Sequence, residues 1–474
     1  MENLHKFYIN GAWVSPDSTV TMPVINPANE QVVATVALGN ANDVDHAVAA
    51  ASQAFETFSM TSKQERLALL ERIKQVTEAR FEDLAQAMRE EMGAPITFSR
   101  EAQADAAIGH LQGFVDALER LEEEVDLGNG ELLVREPIGV CGLITPWNWP
   151  INQIALKVLP ALAAGCTCVL KPSEHTPLSA IIYAEILHEA GCPPGVFNLV
   201  NGEGPEVGAA MSQHPDIQMM SFTGSTRAGT AVTRDSAESV KRVTLELGGK
   251  SANLVFADSD LEERVQNAVA ECMANTGQSC DAPTRLLVER SCYDQVVEIA
   301  RQATIATRVG DPVQEGDHIG PLFDRIQFDR VQTLIGVGID EGANLLVGGL
   351  GKPEGFETGW YVKPTLFTDV HNQMRIAREE VFGPVLVVIP FDTEEEAIAI
   401  ANDSPYGLAA YLQTGDPARA RRVARQLRAG AVHVNGGAYE YGSPFGGYKQ
   451  SGNGREGGMM GLEDYLETKM LHGM

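Results

Sequence analysis

Val140-Cys-Gly-Leu-Ile144, Thr167-Cys-Val-Leu170, Val196-Phe-Asn-Leu-Val200 and Met219-Met-Ser-Phe222 are short apolar runs, each followed by a stretch with helical character. The intervening helices are expected at 151–164, 178–190, near 204–213 and after Ser225. A buried strand reads as a continuous apolar run, because both of its faces are covered. Strands that alternate with helices predict βαβ units and a mostly parallel, doubly wound sheet. In such sheets ligands bind at the carboxyl ends of the strands. That rule directs attention to Pro146-Trp-Asn-Trp-Pro150, Lys171-Pro-Ser-Glu174 and Thr223-Gly-Ser225, which follow three of the four runs.

The same alternation returns further along the chain. A helix expected at 261–275 precedes the strand Arg285–Glu289 and a helix at 293–306, and later strands include Val385–Ile389 and Ala431–Asn435. This predicts a second α/β unit, with the boundary near Gly248-Gly249. Residues 40–122 read as mostly helical, interrupted at Pro95, with Leu69, Ile73 and Val76 at helical spacing. Between 122 and 137, Gly128-Asn-Gly130 separates two extended pieces, as in a hairpin. Such a projection serves as an oligomer arm about as often as it is a plain surface hairpin.

Composition narrows the function. The chain has 474 residues, 44% of them hydrophobic and 21% charged, which suits two large globular domains. A net charge of −28 repels phosphate backbones and anionic lipid, so neither nucleic acid nor a membrane surface is expected as a partner. The most apolar stretch, 138–170, is broken by Pro146, Pro150, Lys157 and Pro160, which rules against an ordinary membrane-spanning helix. The first residues lack an apolar signal segment. The seven cysteines are scattered, with no C-x2-C pair, so no metal site or disulfide framework is called for and the cytoplasm is the expected compartment.

Several motifs carry chemistry. Gly452-x-Gly454-x-x-Gly457 matches a dinucleotide fingerprint as text, but it lacks the strand before and the helical unit after, and reads as a glycine-rich loop. Cys280 lies in Gly277-Gln-Ser-Cys280-Asp-Ala-Pro283, on a loop between a helix and a strand. A single cysteine is far more often inert than nucleophilic, and Cys272 is of that kind. Loop placement raises Cys280 above that prior. A thiolate that attacks a carbonyl needs fixed donors for the oxyanion, and Asn148, bracketed by Pro146 and Pro150, is a candidate donor. Glu246 sits in an apolar run, where burial raises a carboxyl's pKa and suits it to general-base work. Lys171 and Glu174 follow a strand end and suit ribose hydroxyls, whereas Ser225 fits either an ordinary helix cap or a pyrophosphate contact.

Taken in order, Pro146-Trp-Asn-Trp-Pro150, Lys171-Pro-Ser-Glu174, Phe222-Thr-Gly-Ser225, Leu245-Glu-Leu-Gly-Gly-Lys250, Gly277-Gln-Ser-Cys280 and Glu379-Glu-Val-Phe-Gly-Pro384 resemble the aldehyde dehydrogenase superfamily. The resemblance runs from Phe7 to Glu456. It implies a modified Rossmann-type cofactor domain (1–121 and 138–248), a second α/β catalytic domain (249–446), and a small β oligomerisation arm with a C-terminal segment (122–137 and 447–474). It implies that Cys280 is the nucleophile, that Asn148 and the Cys280 N–H form the oxyanion hole, that Glu246 activates water, and that Lys157 and Glu456 relay its proton. It places NAD, with NADP use left open, against Ile144, Trp147, Lys171, Ser173, Glu174, Gly204, Phe222, Gly224, Ser225, Leu247, Glu380 and Phe382. Glu174 favours NAD, because a carboxylate on the ribose repels a 2′-phosphate. A homodimer or homotetramer is implied, with the arm pairing with a strand of a neighbouring subunit.

The positions that match the family's substrate tunnel are Asn152, Gln153, Leu156, Asp281, Tyr439 and Phe445. Their mixture of aromatic and polar groups fits a neutral or cyclic aldehyde. No arginine stands among them to pair with a second carboxylate, provided Arg285 points elsewhere, and Asp281 and Glu440 suit a cationic or weakly basic substrate. Three rivals stand beside the hydrolytic dehydrogenase: a CoA-acylating dehydrogenase, a non-catalytic NAD-binding relative, and a thiol-dependent esterase. The acid at Glu246 argues against the first. Retention of both the thiol and the acid argues against the second.

Overall fold

The computed structural model describes residues 2–474. The four runs form neighbouring parallel strands, Val140–Ile144, Thr167–Lys171, Phe197–Leu199 and Met219–Thr223, and Arg242–Glu246 extends the sheet in parallel beside Met219–Thr223. Phe7–Ile9 with Ala12–Val14 closes one edge and Gly452–Asn453 the other, both antiparallel, giving an eight-stranded sheet. The helix at Pro150–Ala164 is buried almost all round, because it lies between this sheet and the helix at Asp105–Arg120. That sandwiching explains its apolar sequence without a membrane.

The chain passes to a second, seven-stranded sheet between Glu246 and Ala252. Its strands are parallel except for Asn344–Val347 at one edge. The sheet is packed on two apolar clusters, one around Phe367 and Phe391 and one around Val265 and Val296. The expected strand at Arg285–Glu289 and helix at 293–306 have those bounds.

Three features differ from the sequence-based expectation. The helix expected to reach 275 ends at Met273, because Asn275, Thr276 and Gly277 all take left-handed backbone angles (φ 52°, 57° and 70°). Residues 99–104 form a π-helical turn between Ile96–Phe98 and the Asp105 helix. The hairpin Glu124–Gly128 and Glu131–Pro137 does not stand alone, since Leu466–His472 from the same chain's C-terminus pairs along the whole inner strand. Within 447–474, Gly452–Asn453 instead completes the first sheet. No helix of the described residues is long and apolar enough to cross a membrane.

Candidate active site

Cys280 lies on the loop between the helix Leu261–Met273 and the strand Arg285–Glu289, against the Asn148 segment that follows Val140–Ile144. The turn that carries it is built at an energetic cost. Left-handed residues other than glycine each cost about 1–3 kcal/mol. Thr276 offsets this by donating from Oγ1 to Gly320 O (3.1 Å), and Asn275 by donating from Nδ2 to Asn148 O (2.9 Å). Gly277 packs on the backbone of Gly383 and Pro384, and a Cβ at Gly249 would run into the carbonyl of Cys280. Glycines at these two positions therefore let the nucleophile loop approach both the second sheet and the Glu380 segment.

Asn148 is tied to the same turn. Its Nδ2 donates to Gln278 O at 2.9 Å, and its carbonyl also accepts from Gln103 Nε2 at 3.0 Å. Trp149 Nε1 donates to Ser279 Oγ at 2.9 Å. The Pro146–Pro150 segment and the Cys280 loop are thus one hydrogen-bonded unit, which fixes an amide beside the thiol.

Two cavities meet at that thiol. One, of about 300 Å³, is lined by Trp149, Asn152, Gln153, Leu156, Asp281, Tyr439 and Phe445, together with His110 and Tyr441. The other, of about 360 Å³, is lined by Trp147, Asn148, Gly224, Ser225, Glu246, Leu247, Glu380 and Phe382. Cys280 and Gln153 belong to both. A larger hollow of about 1000 Å³ near Phe98 and His318 shares Glu101 and Ala102 with the first cavity but does not reach Cys280.

The second cavity has features that fit a dinucleotide. Trp147 stacks on Phe323 (4.4 Å) and meets Phe382 edge to face (5.5 Å), forming an aromatic wall. Glu380 accepts from Gly249 N at 2.8 Å, and burial pushes its pKa up to about 7. Ser225 caps the helix Thr226–Ser236 by accepting from Ala228 N at 3.3 Å, so the capping role is realised while the helix N-terminus still faces the cleft. Ile144, Lys171, Ser173, Glu174, Gly204 and Phe222 do not line the part beside Cys280. Ile144 and Lys171 flank Gly208, in the turn that Gly204 opens, and Lys171 Nζ donates to Glu174 at 2.9 Å. The Phe222 ring covers Gly224. These residues stand at or beyond the carboxyl ends of the first sheet's strands, where the topology places ligands.

The acids are strongly perturbed. Glu246 is 2% exposed and neither carboxyl oxygen has a hydrogen-bond partner among the described residues. Burial, and then repulsion from Glu456, raise its pKa well above the usual carboxylate range. Glu456 is raised by burial too, although Lys157 opposes this with a buried ion pair. Lys157 also donates to Ser221 Oγ at 3.0 Å. Phe445 and Glu456 exchange both backbone hydrogen bonds at 2.7 Å, which brings Glu456 to the site. Burial, Asp281, Glu380 and Glu246 push the Cys280 thiol well up.

Arg285 points away from the site, bonded to Lys250 O, Asn372 Oδ1, Ile400 O and Ala401 O. Glu440 is exposed and does not line the aldehyde cavity, which corrects the expectation that it faces substrate; Tyr441 occupies that wall instead. Sequence reasoning does not find Gln327, Arg330 and Tyr406 in the cofactor cleft, or His110, Glu101 and Tyr441 in the other. Each is an ordinary polar residue on a helix or loop, and no local pattern marks it.

A cysteine shared by a cleft walled by Trp147, Glu380 and Phe382 and by a small aromatic cavity fits the class of oxidoreductases that act on aldehydes with NAD. The aldehyde dehydrogenase family model matches residues 13–471, and the chain belongs to that family. It is 53% identical over 474 residues to a 3-succinoylsemialdehyde-pyridine dehydrogenase from a Pseudomonas species, covering all of this chain and 99% of the relative. Its fold matches an aldehyde dehydrogenase of Bartonella henselae with a TM-score of 0.98, at 49% identity over the full length of both chains. It also matches aldehyde dehydrogenase C of Pseudomonas syringae, solved as a cysteine-to-alanine mutant with NAD+ and octanal (TM-score 0.98, 52% identity, 99% of this chain and 97% of that one).

Proposed function

We propose that the chain oxidises an aldehyde to the free carboxylic acid by covalent catalysis at Cys280. The observation that carries this reading is that Cys280 is the nucleophilic side chain common to both cavities. Cys280 gives its thiol proton to solvent water, the thiolate attacks the aldehyde carbon, and the carbonyl oxygen becomes an oxyanion that Asn148 Nδ2 and the Cys280 N–H receive. When bound, NAD supplies a positive charge and the acceptor for the departing hydride. The acyl group then remains on Cys280 as a thioester. Glu246 takes a proton from water, the hydroxide displaces the sulfur, and the acid leaves. The proton on Glu246 passes toward the adjoining Glu456–Lys157 pair.

Glu174, held by Lys171, is the group proposed to disfavour a 2′-phosphate and so NADP. For the substrate, the buried and fully engaged Arg285 and the acids Glu101 and Asp281 on the cavity wall argue against a product with a second carboxylate. A neutral or weakly basic ring-bearing aldehyde suits the wall of Trp149, Tyr439, Tyr441 and Phe445. The Pseudomonas relative, whose name specifies a pyridine-bearing semialdehyde, supports the same class. The three-stranded sheet of the hairpin and C-terminal strand, with Leu127 and Met470 exposed, is the proposed oligomer contact.

The test is product analysis with wild type and Cys280→Ser, in the presence of NAD and with CoA added. Free acid and NADH from wild type, neither from the variant, and no acyl-CoA support the reading. An acyl-CoA product, or equal turnover by the variant, overturns it.

A further inference from the structure

The aldehyde cavity offers few donors. Tyr439 spends its hydroxyl on Ser443 O (2.9 Å), Tyr441 on Asp105 (3.4 Å), and Trp149 its indole N–H on Ser279 (2.9 Å). Glu101 and Asp281 are acids. Gln153 borders both cavities and so lies at the reacting end. That leaves Asn152, which lines only the aldehyde cavity.

Asn152 does not rotate freely. His110 Nε2 lies 2.7 Å from its Oδ1, and His110 is 2% exposed. Tyr441 packs edge-on against the imidazole at 4.9 Å, and Tyr439 flanks it at 6.3 Å. The Tyr441 ring approaches so closely that only glycine fits at position 109 beside the histidine. Burial keeps this imidazole neutral, lowering its pKa to about 4, so it carries one ring proton throughout the working range. An amide oxygen can only accept, so the bond to Oδ1 puts that proton on Nε2. Nδ1 is then bare, and it is buried with no partner among the described residues. With Oδ1 held, the Asn152 Nδ2 donates to no protein group among the described residues, and Asn152 lines the cavity.

We propose that Asn152, oriented by His110, is a specificity-determining donor that selects aldehydes carrying a neutral hydrogen-bond acceptor (a ketone oxygen or a ring nitrogen) beyond the reacting carbon. The inference rests on this cavity being the aldehyde site of Cys280. Alkyl aldehydes leave the amide unpaired, and a site built to hydrogen-bond a substrate discriminates against analogues that lack the group. Carboxylates meet repulsion from Glu101 and Asp281.

The test compares kcat/KM for 4-phenylbutanal, 4-oxo-4-phenylbutanal and 4-oxo-4-(3-pyridyl)butanal, with hexanal as a reference, in wild type, Asn152→Leu and His110→Phe. Ratios between substrates within one protein cancel any general loss from a substitution. In wild type, at least one acceptor-bearing compound is expected to exceed 4-phenylbutanal about tenfold, chiefly through KM. Asn152→Leu should bring the ratio within about twofold, and His110→Phe, which removes only the positioning bond, should fall between. Wild-type ratios near one, with hexanal still oxidised, overturn this inference and leave the Cys280 reading intact. A ratio that survives in Asn152→Leu overturns it as well. Absence of NADH from every aldehyde, hexanal included, overturns the site reading beneath it.

Discussion

Glu246→Gln is expected to separate the two halves of the proposed reaction. Glutamine has the same shape as glutamate, and the side chain is 2% exposed with no hydrogen bonds to lose, so the fold should tolerate the exchange. The ability to take a proton disappears. Loss of a positioned general base typically slows its step by about 10²–10⁴-fold, or roughly 3–5 kcal/mol of barrier. Glu246 lines the cofactor cleft and not the aldehyde cavity, so in the proposed mechanism it approaches the Cys280 acyl group from the cofactor side. Its step is therefore expected to come after hydride transfer. Stopped-flow recording of NADH should show a burst near one equivalent per active site at close to the wild-type rate, then a steady state slower by about 10²–10⁴-fold. A burst slowed by the same factor as the steady state would refute the reasoning, since Glu246 would then act on the thiol. An unchanged steady state would remove it from the mechanism.

Asn148→Ala should lower kcat by about 10²–10³-fold, because the proposed oxyanion donor is lost, and should leave NAD affinity, read by fluorescence titration, nearly unchanged. Lys157→Met strands Glu456 as a buried unpaired acid and should cost about 3–5 kcal/mol in urea unfolding, much of it regained when Glu456→Leu is added. Glu91 accepts from Leu178 N (2.5 Å) and from Ser179 N and Oγ (3.1 and 2.5 Å), capping the helix Pro177–Glu189, while burial pushes its pKa up to about 7. A folded pKa above the unfolded one means that its stabilising contribution is complete below about pH 4.5 and is lost as the pH rises through about 7. Denaturation at pH 5 and pH 8 should therefore show a wild-type decline that Glu91→Gln reduces, by up to about 3 kcal/mol. Equal slopes for both proteins would contradict this.

Much of the fold is legible in the sequence because buried parallel strands announce themselves. Val140–Ile144 and Thr167–Lys171 are buried along their whole length, and past the first of them Trp147 and Asn148 line the cleft beside Cys280. The proposed catalytic trio is legible for a related reason: Asn148, Glu246 and Cys280 all stand at or just beyond the end of a regular element. The hidden features depend on contacts distant in sequence. His110 looks like any histidine on a helix until Tyr439 and Tyr441 fold over it. Arg330 reaches the cofactor cleft only because the Glu380 segment packs on its helix, where Arg330 donates to Glu380 O at 2.7 Å. The left-handed Asn275-Thr276 pair has little local signature: asparagine tolerates that backbone, but β-branched Thr276 holds it only with the bond to Gly320. The C-terminal strand likewise gains its partner only when the hairpin is in place.

Covalent catalysis at Cys280 is tested most directly by intact-protein mass spectrometry of Glu246→Gln mixed with aldehyde and NAD, with peptide mapping of the adduct. The expected result is one acyl group per chain, equal to the aldehyde less two hydrogens, on the peptide that contains Cys280, and its absence when Cys280→Ser is added. NADH formation with no acylated Cys280 peptide, or an adduct that persists in the Cys280→Ser protein, would contradict the account.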